Sequence, residues 1–328
     1  MRNPPAKRAA AKPKIPKTMI IGIGETVLDI VFKCGQPKSA VPGGSTFNSM
    51  ISLGRTVGRL YPEVPIVMVT QIGKDMVGDI ILSFMRDNHV STHSVRCLEG
   101  IQSTVSIAML DGNNDASYEF FRDSDAPSFE GGKIEFHPGD LVLFGSFFAI
   151  NKGTREATKA LVSEARAAGA IIYYDINFRR SHLLDLPSTK EFIEENCALS
   201  DIVRGSSEDI SYIYGSDDAD LVYREHISPL CTTFICTRGA GCTEVFSAGA
   251  KAVFDVEKVE TVSTIGAGDS FNAGILFGLL KEGFTKEKVG RLAKEDWEKL
   301  VPQAAKFSAN VCRSMDNYVD PDFFEKAL

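Results

Sequence analysis

The chain has 328 residues, of which 44% are hydrophobic and 24% charged, so it can bury a large core in one large α/β domain or two smaller ones. The net charge is −7, and the first 17 residues carry six basic side chains and no acidic one. The rest of the chain therefore has a net charge of −13, which argues against nucleic-acid binding by this part of the protein. No apolar run approaches the roughly 20 residues of a membrane span. The seven cysteines are scattered and form no C-x-x-C pair, which favours reduced thiols in a cytoplasmic protein over a zinc site.

The first segment, residues 1–18, predicts a disordered basic tail. Its proline, alanine and lysine content is typical of solvated chain, and it lacks the apolar core of a secretory signal. A role in binding an acidic partner is the less favoured alternative. We expect order to begin at residue 19 and a single domain to occupy residues 19–328.

Within that domain, short apolar runs alternate with helical patterns. Buried strands are predicted in TMIIGIG, PIVMVTQIG, GDLVLFGSF, AIIYYDINF, SDIVRGS and TTFICTRGAG, and helices are predicted between several of them, such as TREATKALVSEARAAG. Strands that alternate with helices indicate a mainly parallel sheet covered on both faces. The fold class is therefore α/β.

Residues 101–122 depart from this rhythm. The segment IQSTVSIAMLDGNNDASYEFFR reads as two alternating strands around a turn, which predicts a hairpin. Together with residues 31–41 it would form a small sheet beside the core. Such strands are either decoration or a lid that covers a site and excludes water.

The stretch STIGAGDSFNAG sets a single carboxylate, Asp269, between small residues and an apolar helix. Backbone N–H groups at a helix start are unsatisfied and partly positive, and glycines let a phosphate approach them closely. Asp269 would then accept a proton from an attacking hydroxyl. The alternative interpretation is a plain helix N-cap, for which aspartate is favoured.

Two stretches near the N-terminus are suited to holding a sugar. VPGGSTFNSMISLG brings Gly43 and Gly44 before a helix that carries Asn48, whose amide can donate to and accept from a hydroxyl. In GIGETVLD, Asp29 could accept bonds from two hydroxyls, whereas the lack of a third glycine makes dinucleotide binding a weak hypothesis. A glycine turn with a surface asparagine, and a strand-end aspartate, remain open as structural alternatives.

Together these motifs resemble the ribokinase-like (PfkB) family of carbohydrate kinases, from about Met19 to about Cys312. GGSTFNSMISLG is similar to the family's N-terminal signature and STIGAGDSFNAG to its C-terminal one. QIGKDMVGDIILSFMRDNHV, YYDINFRRSHL and CTRGAG resemble segments that lie between them. The resemblance implies a three-layer α/β/α sandwich with a small β-sheet lid, and a kinase domain over residues 19–328.

The resemblance also implies roles for individual residues. It makes Asp269 the catalytic base, and the amides of Gly266, Ala267 and Gly268 the anion hole. The residues implied on the substrate are Asp29, Gly43, Gly44, Asn48, Arg122, Asn177 and Arg179. Those implied on ATP are Ser206, Thr237, Gly239, Gly241 and Asn310, and Asp209 would meet Mg²⁺ through water. An exposed lid arginine is the alternative for Arg122.

The sequence departs from the family pattern at the ion sites. Ser263 stands where the family usually has an aspartate that helps to bind a monovalent cation, and CRSMDNY replaces the Gly-Ala loop that closes that site, which puts potassium activation in question. The family's Asn-x-x-Glu motif reads Ser206-Ser207-Glu208-Asp209, which keeps a carboxylate at its fourth position and favours continued magnesium use.

These features lead to an ATP-dependent kinase of a small sugar, with a fructokinase-like hexose kinase favoured. The alternatives are a 2-keto-3-deoxygluconate kinase, in which Arg122 and Arg179 would hold a carboxylate, another sugar or nucleoside kinase, and a non-catalytic sugar or nucleotide sensor. The expected partners are the sugar and ATP, with no nucleic acid and no membrane. A homodimer through the lid is a further expectation.

Overall fold

A computed structural model describes residues 18–110, 116–248 and 250–327. The predicted basic tail lies outside the described residues except for Thr18, which is buried. All seven cysteines fall within the described ranges and are free thiols. Among the helices described, none is both long and apolar enough to cross a membrane.

A large central sheet runs through the molecule, with its strands in the order β13-β12-β11-β10-β9-β8-β1-β4-β5. Its strands are β1 (Ile20–Ile23), β4 (Ile66–Gly73), β5 (Val95–Leu98), β8 (Leu141–Gly145), β9 (Ile171–Asp175), β10 (Ile202–Ser206), β11 (Phe234–Thr237), β12 (Cys242–Ser247) and β13 (Ala250–Asp255). Neighbours from β11 to β5 pair in parallel, whereas β12 and β13 are antiparallel additions at one edge. The predicted mainly parallel sheet is confirmed.

Helices cover both faces of this sheet. They are α1 (Ser45–Leu60), α2 (Met76–Asp87), α3 (Arg155–Ala167), α4 (Leu186–Leu199), α5 (Ser207–Tyr214), α6 (Ala219–Val222), α7 (Ala267–Lys281), α8 (Lys286–Val289), α9 (Lys294–Val311) and α10 (Phe323–Ala327). Adjacent strand residues point to opposite layers, since Tyr173 packs in the core under α1, α7 and α9 while Tyr174 packs in the core under α3 to α5. The fold is thus an α/β/α sandwich, and the central strands are apolar throughout because both of their faces are buried.

A second, smaller sheet lies beside the sandwich, in the order β3-β2-β6-β7. It consists of β2 (Val27–Lys33), β3 (Gln36–Gly43), β6 (Val105–Leu110) and β7 (Ala116–Phe121). The predicted hairpin is present as β6 and β7, and its turn lies outside the described residues. The first half of the sheet begins at Val27 rather than near residue 31, and β2 pairs in parallel with β6, so the sheet is mixed.

Candidate active site

The candidate site lies where β1, β9, β10 and β11 end and where α1 and α7 begin. In open parallel sheets this carboxyl edge is the usual place for ligands, because connecting loops and helix N-termini converge there. The small sheet contributes Asp29 from β2, which enters the same region from the side. Seven of the residues that the sequence predicts for the site lie on these elements, namely Asp29, Asn48, Ser206, Thr237, Ala267, Gly268 and Asp269.

The helix α7 begins with an unusual turn. Gly266 is its N-cap with φ +78°, and a Cβ on this residue would lie 2.1 Å from the carbonyl oxygen of Asn317, so glycine is required here. Gly266 provides no side-chain cap, and Asp269 lies within the first helical turn. The plain N-cap interpretation of Asp269 is therefore wrong. We call the turn formed by Gly266, Ala267 and Gly268 the nest. Of its backbone amides, that of Ala267 already donates to the Thr264 carbonyl oxygen at 3.2 Å.

Asp269 is held from the other end of the chain. Its Oδ2 accepts a 2.8 Å hydrogen bond from Asn48 Nδ2, and its carbonyl oxygen accepts one of 2.8 Å from Ser49 Oγ. Asn48 is 4% exposed, which excludes the surface-asparagine alternative. Burial raises the pKa of Asp269 to about 7. The Asn48 hydrogen bond and the charges of Arg179 and Arg204 lower it, whereas the charge of Asp175 raises it. A carboxyl with this pKa is suited to take a proton near neutral pH.

Asp29 and the glycine pair form the side of the site that belongs to the small sheet. Ser106 Oγ donates a short hydrogen bond to Asp29 Oδ1, and a Cβ on Gly43 would lie 2.0 Å from Asp29 Oδ2. Gly44 caps α1 with φ +117°, where a Cβ would lie 2.4 Å from the Glu25 carbonyl oxygen. Both glycines are therefore required by close contacts around Asp29, whose pKa is raised by burial.

The segment after β9 reaches the same region. Asn177 has φ +38°, a strained conformation for a residue other than glycine. The next amide, that of Phe178, donates to Asp209 Oδ1 at 2.7 Å and fixes this turn to α5. Arg179 is exposed, and its charge lowers the pKa of both Asp29 and Asp269, which indicates that it lies near both carboxyls.

Arg122 lies at the end of the small sheet and is already paired. Its Nε and Nη2 donate to the two carboxylate oxygens of Glu25 at 3.0 Å each, and its guanidinium lies 4.4 Å from the centre of the Phe120 ring. The bidentate pair joins β7 to the loop after β1. The sequence patterns do not single out Glu25, because it is one polar residue in the short link between β1 and β2 and belongs to no motif.

A large cavity of about 1230 Å³ opens on the other side of the nest. Its lining includes Ala267, Gly268 and four of the residues predicted for ATP, namely Ser206, Thr237, Gly239 and Asn310. Gly241 lies next to it in the β11–β12 turn but does not line it. Asp269 also stays outside the lining, so the nest lies between the cavity and the carboxyl.

Ser206 and Asp209 form a capping box at the start of α5. Asp209 Oδ2 accepts from Ser206 N at 2.6 Å and from Ser206 Oγ at 2.8 Å, and Ser206 Oγ accepts from Asp209 N at 3.1 Å. With Phe178 on its other oxygen, Asp209 has protein donors on both oxygens and is 5% exposed. Burial raises its pKa to about 6. In the described ranges, no group of three or more His, Cys, Asp or Glu side chains is arranged to hold a metal ion.

The sequence patterns do not single out a network of buried, hydrogen-bonded polar side chains that lies beneath the nest. Arg204 donates from Nη1 to Asp175 Oδ1 at 3.0 Å and from Nη2 to Thr237 Oγ1 at 2.6 Å. Asp175 Oδ2 accepts from Asn272 Nδ2 at 2.8 Å, and Asn272 Oδ1 accepts from Tyr173 at 3.0 Å. A signal was present, because a charged residue inside an apolar strand, as in DIVRGS, must find a buried partner.

Ser263, which replaces the expected cation-site aspartate, is 8% exposed and its Oγ accepts from Ile265 N at 3.2 Å. Its hydroxyl is thus used within the turn that leads into α7. Ser263 supplies no carboxylate for a monovalent cation, and potassium activation stays in question.

Residues 18–320 match the model of the pfkB family carbohydrate kinases. A similar curated protein is the fructokinase of Rhizobium leguminosarum bv. trifolii, 29% identical over 286 residues that cover 84% of this chain and 85% of that protein.

Solved structures show the same fold. The fructokinase from Vibrio cholerae O395, bound to fructose, ADP and calcium ion, superposes with a TM-score of 0.78 at 18% identity over 92% of this chain and 94% of that chain. The aminoimidazole riboside kinase from Salmonella enterica, complexed with aminoimidazole riboside and an ATP analogue, gives 0.78 at 21% identity over 94% and 98%. These likenesses establish a ribokinase-like fold. Because the family match spans most of the chain, this chain belongs to the pfkB family of carbohydrate kinases, which are ATP-dependent phosphotransferases.

Proposed function

We propose that this enzyme transfers the γ-phosphoryl group of MgATP to a hydroxyl of fructose or a closely similar neutral hexose. The observation that carries the proposal is the position of Asp269, a buried carboxyl bonded to Asn48 on one side of a glycine nest whose other side opens into the large cavity. A base and an anion-binding turn at one helix start are the two groups that phosphoryl transfer needs.

The chemistry follows from these residues. Asp269 takes the proton of the sugar hydroxyl, whose oxygen forms a bond to the γ-phosphorus while the bond from phosphorus to the bridging oxygen of ADP breaks. The amides at the start of α7 stabilise the negative charge of the phosphoryl group during transfer. The small sheet, as a lid, would exclude water that otherwise accepts the phosphoryl group.

The large cavity suits ATP. Its volume of about 1230 Å³ is at the upper end of ligand pockets and sufficient for a nucleotide. Ser206, Thr237, Gly239 and Asn310 line it and are the residues we assign to ATP, with Gly241 as a turn residue beside them. In that orientation the γ-phosphate would lie at the nest formed by Gly266, Ala267 and Gly268.

The residues fit Mg²⁺ only indirectly. Mg²⁺ commonly keeps several waters and takes its other ligands from substrate phosphates. Asp209, with both oxygens hydrogen-bonded by the protein, would meet the ion through a water, as its assignment requires. When bound, Mg²⁺ would neutralise charge on the ATP phosphates.

We expect no potassium requirement, because Ser263 stands where the family usually has the aspartate that helps to bind a monovalent cation.

We assign the sugar to the region of Asp29, Gly43, Gly44, Asn48, Asn177 and Arg179. Asn48 Oδ1 is buried and, among the described atoms, has no hydrogen-bond partner, so it is suited to accept from a hydroxyl of the substrate. The Asp29 carboxylate is suited to accept from a further hydroxyl, and the missing side chain of Gly43 leaves the room that Asp29 Oδ2 occupies.

Two observations favour a neutral sugar over 2-keto-3-deoxygluconate. Arg122 has a bidentate carboxylate partner in Glu25, so the carboxylate of a keto acid would have to displace that pair. In addition, the relative at 29% identity is a fructokinase. A nucleoside acceptor remains a lesser candidate, supported by the fold likeness to the aminoimidazole riboside kinase.

A non-catalytic sensor is the alternative from another class. Ser206 and Ser263 motivate this alternative, because they stand where the family usually has an asparagine and an aspartate. A sensor has no need of a buried carboxyl with a pKa of about 7 next to the nest, which supports the enzyme.

We also propose that the small sheet mediates a homodimer. Phe121 and Met109 are 51% and 45% exposed, and the strand register puts them on the sheet face opposite Asp29 and Ser106. A second copy of this face would cover them. Light scattering of the protein and of Phe121→Glu tests this, since a monomeric wild type would contradict the proposal.

The function is tested by coupled ADP release with MgATP against fructose, 2-keto-3-deoxygluconate, ribose, adenosine and fructose phosphates, each with and without potassium. We expect the highest kcat/KM with fructose and no potassium requirement. Preferred turnover of another compound would correct the substrate. Sugar binding without ADP release across the panel would support the sensor.

A further inference from the structure

We propose that Arg204 is a positioning residue of the phosphoryl-transfer site, whose guanidinium, fixed against Gly268, supplies positive charge behind the anion nest. This inference rests on the proposed function and adds a residue that the sequence motifs do not include. It explains why a charged side chain is present inside a strand of the central sheet.

Contact with the nest is direct. A Cβ on Gly268 would lie 3.0 Å from Arg204 Nη2 and 3.1 Å from Nη1, so the guanidinium lies against the backbone of this residue. Arg204 also lines the large cavity. Gly268 has no positive φ that would require a glycine. A side chain at this position would therefore have to displace the guanidinium of Arg204 by a few tenths of an ångström.

Arg204 is also fixed in place. Its two terminal nitrogens donate to Asp175 and to Thr237, it is 7% exposed, and its Nε has no acceptor within the described part of the chain. The Asp175 carboxylate is oriented in turn by Asn272. A charge held this rigidly needs no reorganisation when the phosphoryl group becomes negative, which is the condition for strong electrostatic stabilisation.

The paired carboxylate engages one side of the guanidinium. Asp175 Oδ1 accepts from Nη1 of Arg204, while both terminal nitrogens would lie within 3.1 Å of a Cβ placed on Gly268. Because Coulomb energy falls with distance, the phosphoryl group at the nest would be most sensitive to the guanidinium. Arg204 thus complements the backbone amides, whose number is limited because that of Ala267 also serves the turn.

The test compares Arg204→Met/Asp175→Asn with the wild type, using MgATP and fructose. The double variant removes both charges of the pair, so Asp175 is not left as a buried carboxylate without its partner, while Asp209, whose pKa the Arg204 charge lowers, stays in place. We expect kcat to fall by roughly 10²–10³, as for the loss of one oxyanion-hole donor, while KM for fructose changes by less than about threefold. Arg204→Lys, which keeps a charge, should recover part of kcat.

Two controls separate charge from folding. Asp175→Asn keeps the arginine and should retain more activity than the double variant. Arg155→Met/Glu195→Gln removes another buried arginine and its carboxylate partner, between α3 and α4, and should lower the melting temperature without lowering kcat. A folded Arg204→Met/Asp175→Asn variant with wild-type kcat, or one that loses only fructose affinity, would overturn the inference alone. A wild type that turns over no sugar would overturn the proposed function as well.

Discussion

Asn48, near the start of α1, donates a 2.8 Å hydrogen bond to the carboxyl of Asp269 at the start of α7, although the two residues are 221 positions apart in the chain. The bond joins the N-terminal glycine signature to the C-terminal one. The Asp269 carboxyl is thus held by a side chain of α1, and it does not cap α7. The two sequence motifs therefore form one site.

The first prediction concerns the pH dependence of the rate. Burial raises the pKa of Asp269 to about 7, and a base works only when it is deprotonated, so activity should be low below this value and rise through it. We expect kcat/KM for the sugar to show an acid limb near pH 7. A rate that stays constant between about pH 5 and 8 would contradict the role of Asp269.

The second prediction concerns Asn48. Its hydrogen bond lowers the pKa of Asp269, so Asn48→Leu should raise that pKa and move the acid limb of the pH–rate profile to higher pH. Ser49→Ala is the matched control, because Ser49 bonds the carbonyl oxygen of Asp269 and not its carboxyl. An unmoved limb in Asn48→Leu, or an equal shift in both variants, would show that this bond does not tune the base.

Sequence patterns predicted the sheet and helix order well, because strands with both faces buried are continuously apolar and helices between them are amphipathic. They also singled out Asp269, Asp29, Gly43 and Gly44, since these belong to short motifs, and the roles of these residues stay predictions. The pairing of Arg204 with Asp175, and of Arg122 with Glu25, could not be predicted, because each joins residues on separate strands or loops whose register only the fold determines. The sequence motif predicts that Gly268 lets a phosphate approach the backbone, but it does not predict that Arg204 lies beside this glycine.

The third prediction concerns Arg122 and Glu25. If this pair holds Arg122 over the sugar, Glu25→Gln and Arg122→Ala should each raise the sugar KM with little change in kcat. The double variant should be no worse than the worse single variant, since one interaction is lost in all three. Glu287→Gln, in the exposed Glu287–Arg291 pair, is the control and should have no effect. Additive losses in steady-state kinetics would exclude a shared role.

The fourth prediction concerns Asp209 and magnesium. Asp209→Ala removes the N3 carboxylate of the α5 capping box and should cost about 1 kcal/mol of stability. It should also raise the Mg²⁺ concentration needed for half-maximal rate. Asp218→Ala removes the cap of α6 and should affect stability only. A Mg²⁺ titration that is unchanged in Asp209→Ala would leave Asp209 as a capping residue and refute its assignment to the metal.

The central claim is that Asp269 acts as the base in sugar phosphorylation, and the most direct measurement is ADP release by the wild type and by Asp269→Asn with MgATP and fructose, alongside fructose binding by both. We predict turnover by the wild type, a loss of roughly 10²–10⁴ in kcat for the variant, and similar fructose affinity in the two proteins. Nearly full activity in Asp269→Asn would contradict the account.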